Sequence, residues 1–225
     1  MRSLPLQLRS RHRLVSARVP ARRTHSRRRR ARRPHHLPPQ HRMGARRMTP
    51  TLISTIGPAG AGKTTWRTRH TPPRAVVVSL DETRAALAPC GCSSNQTVNA
   101  AAVAAGYATT RQVLADGGTV VWDVTGYLPR FRTELLDLAA EFGARTVGLV
   151  ILPPLLTALA RNGSRDPRRC PDCGYARRVP DHVVWRMHHD IATAVPHLHR
   201  EGWHELRFLA LPPYLHTRQH RPEEN

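Results

Sequence analysis

Apolar and polar positions alternate in blocks along this chain. Compact apolar runs occur at Thr51–Ile56, Ala75–Ser79, Thr119–Asp123, Thr146–Leu152 and Glu205–Leu211. The first four show no polar alternation within the run, as expected of strands covered on both faces in a parallel sheet. Between them lie stretches with helical periodicity or composition. A helix beginning near Lys63 continues over Thr65–His70 and is stopped by Pro72-Pro73, and another begins at about Asp81. The Ala-rich segment Thr97–Ala115 ends at Asp116-Gly117-Gly118. Phe131–Phe142 places Leu135, Leu138, Ala139 and Phe142 on one side, with Gly143 as its stop. Leu155–Arg161 and Asp181–Thr193 complete the set, separated by the polar, proline-bearing stretch Asn162–Pro180. Strand–helix alternation of this kind predicts an α/β three-layer sandwich with a mostly parallel five-stranded sheet. Its expected extent is residues 49–212, with a lid at about 161–180, an Arg-rich extension over 1–48 and a flexible tail over 213–225. No internal repeat is visible.

The first strand runs straight into Gly57-Pro58-Ala59-Gly60-Ala61-Gly62-Lys63-Thr64, a glycine, four residues, then Gly-Lys-Thr. A glycine-rich turn between a strand and a helix lets successive backbone N–H groups point at phosphate, helped by the positive end of the helix dipole. Gly57 through Thr65 are therefore the expected contacts to a nucleoside triphosphate, ATP. Lys63 reaches the β- and γ-phosphates and the Thr64 hydroxyl ligates Mg²⁺. In an open α/β sheet, ligands sit at the carboxyl ends of the strands. Asp81 and Arg84 follow the second strand there, three apart and so on one helical face, and Asp123 closes the third. A plain helix N-cap is the alternative role for Asp81.

Charge adds less than its total suggests. The formal net charge is +21, but residues 1–48 contain 16 of the 36 basic residues and no acid, which leaves the remainder at +5. The extension, with Arg27–Arg30, Arg32 and Arg33 beside Pro34, has nothing to bury and reads as disordered. It fits a nucleic-acid tether, a transit peptide, or a start set too early, since Met43 and Met48 both precede Thr49-Pro50-Thr51. No apolar run approaches the ~18 residues of a membrane span. Four cysteines with no signal peptide point to a reducing, cytoplasmic setting. They form two close pairs, Cys90-Gly91-Cys92 and Cys170-Pro171-Asp172-Cys173, the second with a Gly after it as in a zinc knuckle. A structural zinc site of all four requires the fold to bring the pairs together. Unpaired thiols or a redox pair are the alternatives.

The phosphate loop, Asp81 with Arg84, Asp123, Arg161-Asn162-Gly163-Ser164-Arg165, and Val179-Pro180-Asp181 ahead of Arg186-Met187-His188 together resemble one group. This is the P-loop kinase family typified by the 5′-hydroxyl polynucleotide kinases and the kinase domains of RNA-repair enzymes, with an AAA-type ATP-binding core. The resemblance covers most of residues 50–210. It implies that Asp81 is the general base toward the acceptor hydroxyl and that Arg84 grips the acceptor or its phosphate. It further implies that Arg161 and Arg165, sharing a helical face, close over the transferring phosphoryl, and that Asp123 positions Mg²⁺ through water. The family often carries Asp-x-Thr-Asn where this chain has Asp123-Val124-Thr125-Gly126, so an acceptor-contacting amide is missing. Arg130 and Arg132 are candidates to compensate, or else exposed arginines at a helix start. The implied activity is ATP-dependent phosphotransfer to a polynucleotide 5′-hydroxyl. The alternatives are a small-molecule kinase and a nucleotide-dependent binding or regulatory ATPase.

Overall fold

A computed structural model describes residues 49–216; the 1–48 extension and residues 217–225 of the tail lie outside the described residues. Five strands, β1 (Thr51–Ile56), β2 (Val76–Ser79), β3 (Thr119–Asp123), β4 (Arg145–Ile151) and β5 (Glu205–Ala210), form one sheet in the order β2-β3-β1-β4-β5. All four pairings are parallel. The helices are α1 (Lys63–His70), α2 (Leu80–Leu87), α3 (Asn99–Ala115), α4 (Pro129–Glu141), α5 (Leu155–Gly163), α6 (Asp181–Ala194) and the short α7 (Pro213–His216), with a 3₁₀ turn at Val195–Arg200.

The unbroken apolar strands are explained by helices on both faces. On one face Leu52, Ile56, Val120 and Trp122 pack with Leu114 of α3, Leu135 of α4 and Ile191 of α6. On the other, Ile53, Val121, Val147 and Leu149 meet Trp66 of α1. Trp122 is fully buried, and its indole N–H donates to Thr110 Oγ1 at 2.8 Å, so the largest core side chain leaves no unsatisfied polar atom. The second strand differs from expectation. It is an edge strand with Val76 exposed, and only Val78 and Ser79 are buried.

Element ends moved for identifiable reasons. Ser79, not Asp81, is the N-cap of α2, with Ser79 Oγ accepting from Glu82 N–H at 3.4 Å. Pro129 opens α4 two residues before the expected Phe131, a position where a missing N–H costs nothing. At the far end, Pro213–His216 is helical, and Leu215 is buried in the main core cluster.

Topology positions the site. β3 lies beside β1, so the loop after β1 and the acid ending β3 emerge next to each other. Buried Thr55 fixes that alignment: its hydroxyl donates to Val124 O at 2.7 Å and accepts from Val124 N–H at 3.1 Å.

Candidate active site

The phosphate loop follows β1 in the order its sequence requires. Gly62 caps α1 with no side-chain hydrogen bond, and no acidic residue stands in the first turn. The positive end of the helix is thus left to a ligand. Gly60, at φ 79°, has no room for a Cβ, which would lie 2.1 Å from Ala158 O. Lys63 Nζ donates to Gly57 O at 3.0 Å and Pro58 O at 2.8 Å. Its pKa is lowered to about 8, chiefly by burial and also by Arg165, against the opposing pull of Asp123 and Asp81.

A cavity of about 540 Å³ opens beside the loop, lined by Lys63, Thr64, Asp81, Arg84, Asp123 and Arg165 among others. The fold therefore brings these six of the sequence-predicted residues onto one cavity, while Arg161 is not among its lining. Asp81 is well exposed, its side chain 71% accessible, and forms an ion pair with Arg84. Arg84 is itself buried. Its Nε donates to Ser93 O and its Nη1 to Asn99 Oδ1, both at 2.8 Å. The fork expected to hold an acceptor is thus engaged within the chain, where it orients Asp81. Asp123 lies 3.5 Å from Arg67 Nη1, and Arg67 also pairs with Glu82 at 2.6 Å, so α1, α2 and β3 are tied at the cavity edge. Burial raises the Asp123 pKa against the opposing influence of Lys63 and Arg67.

The paired-arginine expectation needs correcting. Helix α5 ends at Gly163, so Arg165 lies past its end and shares no helical face with Arg161. Arg161 Nη1 reaches Ala61 O of the phosphate loop at 3.4 Å, while Arg165 reaches the cavity from the following segment. Arg130 lines the cavity, but Arg132 is only 1% exposed and cannot touch an acceptor. Arg132 instead holds Gly126 O, Tyr127 O and Glu201. Gly126 itself sits at φ 56° with Thr55 O 2.8 Å from where a Cβ would be, so a side chain at this position requires the backbone to shift.

Sequence reasoning missed Asn162. It is fully buried, donating to Val179 O at 2.7 Å and accepting from Val179 N–H at 3.2 Å, and so closes the base of the segment that follows α5. A small amide inside an Arg-Asn pair gives no sequence signal for such a role. His188 is likewise structural, its Nε2 lying 2.9 Å from Pro153 O. Of the four cysteines expected at a zinc site, the fold brings three together: the Sγ atoms of Cys90, Cys170 and Cys173 lie within 4.8 Å of one another. Cys92 stands outside that triad, two residues from Cys90 in the same loop.

A parallel sheet with a glycine-rich phosphate loop between β1 and α1, and an acid at the end of the neighbouring strand, defines a nucleotide-binding P-loop NTPase fold of the kind found in P-loop kinases. A family model described as an AAA domain matches residues 52–192, and the chain belongs to that family. Among solved structures the chain is similar to Chaetomium thermophilum Kti12 in complex with ADP-AlF3, with a TM-score of 0.50 and 22% identity over 75% of this chain and 94% of that one. It is also similar to a chain of the Pnkp1/Rnl/Hen1 RNA repair complex, with a TM-score of 0.52, 17% identity and 66% of this chain covered; it spans 46% of that chain. No curated protein matches. No helix among the described residues is long and apolar enough to cross a membrane.

The lowered pKa of Lys63 gives a testable pH dependence. ATP binding favours the charged amine and raises its pKa, so affinity is level well below pH 8 and declines as pH rises through the free-protein value of about 8. The slope is at most about tenfold per pH unit until the pKa of the bound form is passed. Titration calorimetry with ATP in a chelating buffer from pH 6.5 to 9.5 checks this; a flat profile contradicts it.

Proposed function

We propose that this protein transfers the γ-phosphate of ATP to a hydroxyl acceptor, with a polynucleotide 5′-hydroxyl as the first candidate. The observation that carries the reading is a carboxylate, Asp81, oriented by Arg84 on the same cavity as Lys63 and Thr64. In this scheme Asp81 accepts the proton of the acceptor hydroxyl and aims its oxygen at the γ-phosphorus. Lys63, Arg161 and Arg165 balance the negative charge that develops on the phosphoryl oxygens. Arg84 is a positioning residue for Asp81. The Thr64 hydroxyl and the Asp123 carboxylate both line the cavity and are hard oxygen donors of the type Mg²⁺ selects. A magnesium ion held there with ATP supplies charge neutralisation to the phosphates.

The polynucleotide acceptor is supported by the motif resemblance. The net charge of +5 beyond residue 48 does not require a nucleic acid, so a small hydroxyl compound is the second reading. The two are separated by a γ-³²P transfer assay on 5′-hydroxyl oligonucleotides run beside a panel of small alcohols, sugars and nucleosides. The expected result is label on the oligonucleotide end, abolished by Lys63→Ala and falling steeply with salt as phosphate contacts are screened. Label on a small acceptor alone supports the second reading. Hydrolysis with no transfer to any acceptor overturns the phosphotransferase and leaves a nucleotide-dependent regulatory module.

A further inference from the structure

Between Gly163 and Pro180 no residue is buried, yet this segment brings Arg165 to the cavity. Apolar packing reaches it only at Val179, at its far end. Two sets of cysteines meet beside it. Cys90 and Cys92 lie in the loop between α2 and α3; Cys170 and Cys173 lie in the exposed segment itself. Their nearest three sulfurs fall within 4.8 Å of one another. Four sulfurs at the usual Zn–S length of about 2.3 Å stand about 3.8 Å apart at the corners of a tetrahedron, a spacing the three grouped sulfurs approach.

The second pair is built as a metal-binding turn. Arg169 and Ala176 form an antiparallel bridge, Cys170 N–H donates to Tyr175 O and Gly174 N–H to Cys170 O, each at 2.8 Å. Gly174 takes φ 73° at the corner. The first pair has an outer partner: Asn95, buried and fixed by Thr97, offers Nδ2 to Cys90 Sγ at 3.7 Å. Hydrogen bonding of this kind orients metal ligands.

We propose that Cys90, Cys92, Cys170 and Cys173 bind one zinc ion that fastens the α2–α3 loop to the segment between α5 and α6. The ion braces two walls of the cavity at once. On one side it holds the segment carrying Arg165. On the other it steadies the loop whose Ser93 carbonyl receives Arg84 Nε, and through Arg84 it reaches Asp81. That last consequence rests on the phosphotransferase reading; the metal site does not.

The test uses the full chain purified without chelator. Atomic emission is expected to find about one zinc per chain, as a four-thiolate structural site holds. Exchange into cobalt is expected to give the visible bands of a tetrahedral thiolate centre. Cys173→Ser and Cys90→Ser are expected to bring zinc to background. Arg168, Arg169, Arg177 and Arg178 make the segment a ready trypsin substrate, so the zinc form is expected to resist cutting there and the chelated wild-type protein to be cut. Chelation of the wild type, with ATP binding and circular dichroism measured alongside, guards against a variant that only fails to fold. A folded protein free of metal, or zinc undiminished in both variants, overturns the site. Equal trypsin resistance with and without zinc overturns the clamp. Stoichiometric zinc with no phosphotransfer faults the proposed activity and leaves this inference standing.

Discussion

Asp81→Asn is expected to lower phosphotransfer by about 10²- to 10⁴-fold, the range a positioned general base supplies, while ATP affinity stays unchanged. The substitution suits the local structure. Asp81 sits in the first turn of α2 with its side chain 71% exposed, so no packing is lost. The N-cap is Ser79, so the helix keeps its start. An amide still accepts from Arg84, and what disappears is the capacity to take a proton. Asp81 is nonetheless part of the electrostatic surroundings of Lys63, whose charge it favours, so binding must be measured at a pH well below 8, where the amine is protonated in either protein. Single-turnover transfer beside calorimetric ATP binding separates the two effects. Unchanged turnover in the variant removes Asp81 from the chemistry and favours a module that binds nucleotide without transferring phosphate.

The largest loss of stability is expected at a residue that lines no part of the cavity. Arg132 is 1% exposed and donates to Glu201 twice, from Nε at 2.8 Å and from Nη2 at 2.5 Å. Its Nη1 reaches Gly126 O and Tyr127 O. Arg132→Ala deletes one partner of a largely buried ion pair and strands two carbonyls, which costs about 3 kcal/mol, the lower end of the usual range because Glu201 is partly exposed. Against a typical total of about 5–15 kcal/mol that is a large fraction. A fall in the urea midpoint with an unchanged slope checks it, and a change below about 1 kcal/mol, within the range of ordinary surface substitutions, contradicts it. Since Gly126 and Tyr127 also line the cavity, the same variant loosens one wall of the site.

Local signals in the chain were enough for the strands, the phosphate loop and the acids at the strand ends, because each is written in neighbouring residues. An apolar run of β-branched residues reads as a strand wherever it occurs, and Gly57–Thr64 needs only the strand before it and the helix after it. Arginines are different. Nothing beside Arg84, Arg132 or Arg165 in the sequence says whether the guanidinium faces solvent, an acceptor or a buried carboxylate. That is decided by partners brought in by the sheet, such as Glu201, 69 positions from Arg132. The convergence of the cysteine pairs is of the same kind, and their spacing alone left it open. The short helix past Pro212 was unreadable because four residues are too few to show a helical period, although Leu215 is buried in the core.

The contact between Gly60 and Ala158 bears on how the molecule moves. With Ala158 O against Gly60 and Arg161 on Ala61 O, α5 and the phosphate loop are interlocked, and a shift of one is transmitted to the other. Asn162 then joins the two ends of the following segment, 17 positions apart, at a closed neck. The residues that touch the phosphate loop therefore lie on the near side of that neck, and Arg165 and the cysteine turn lie in the excursion beyond it.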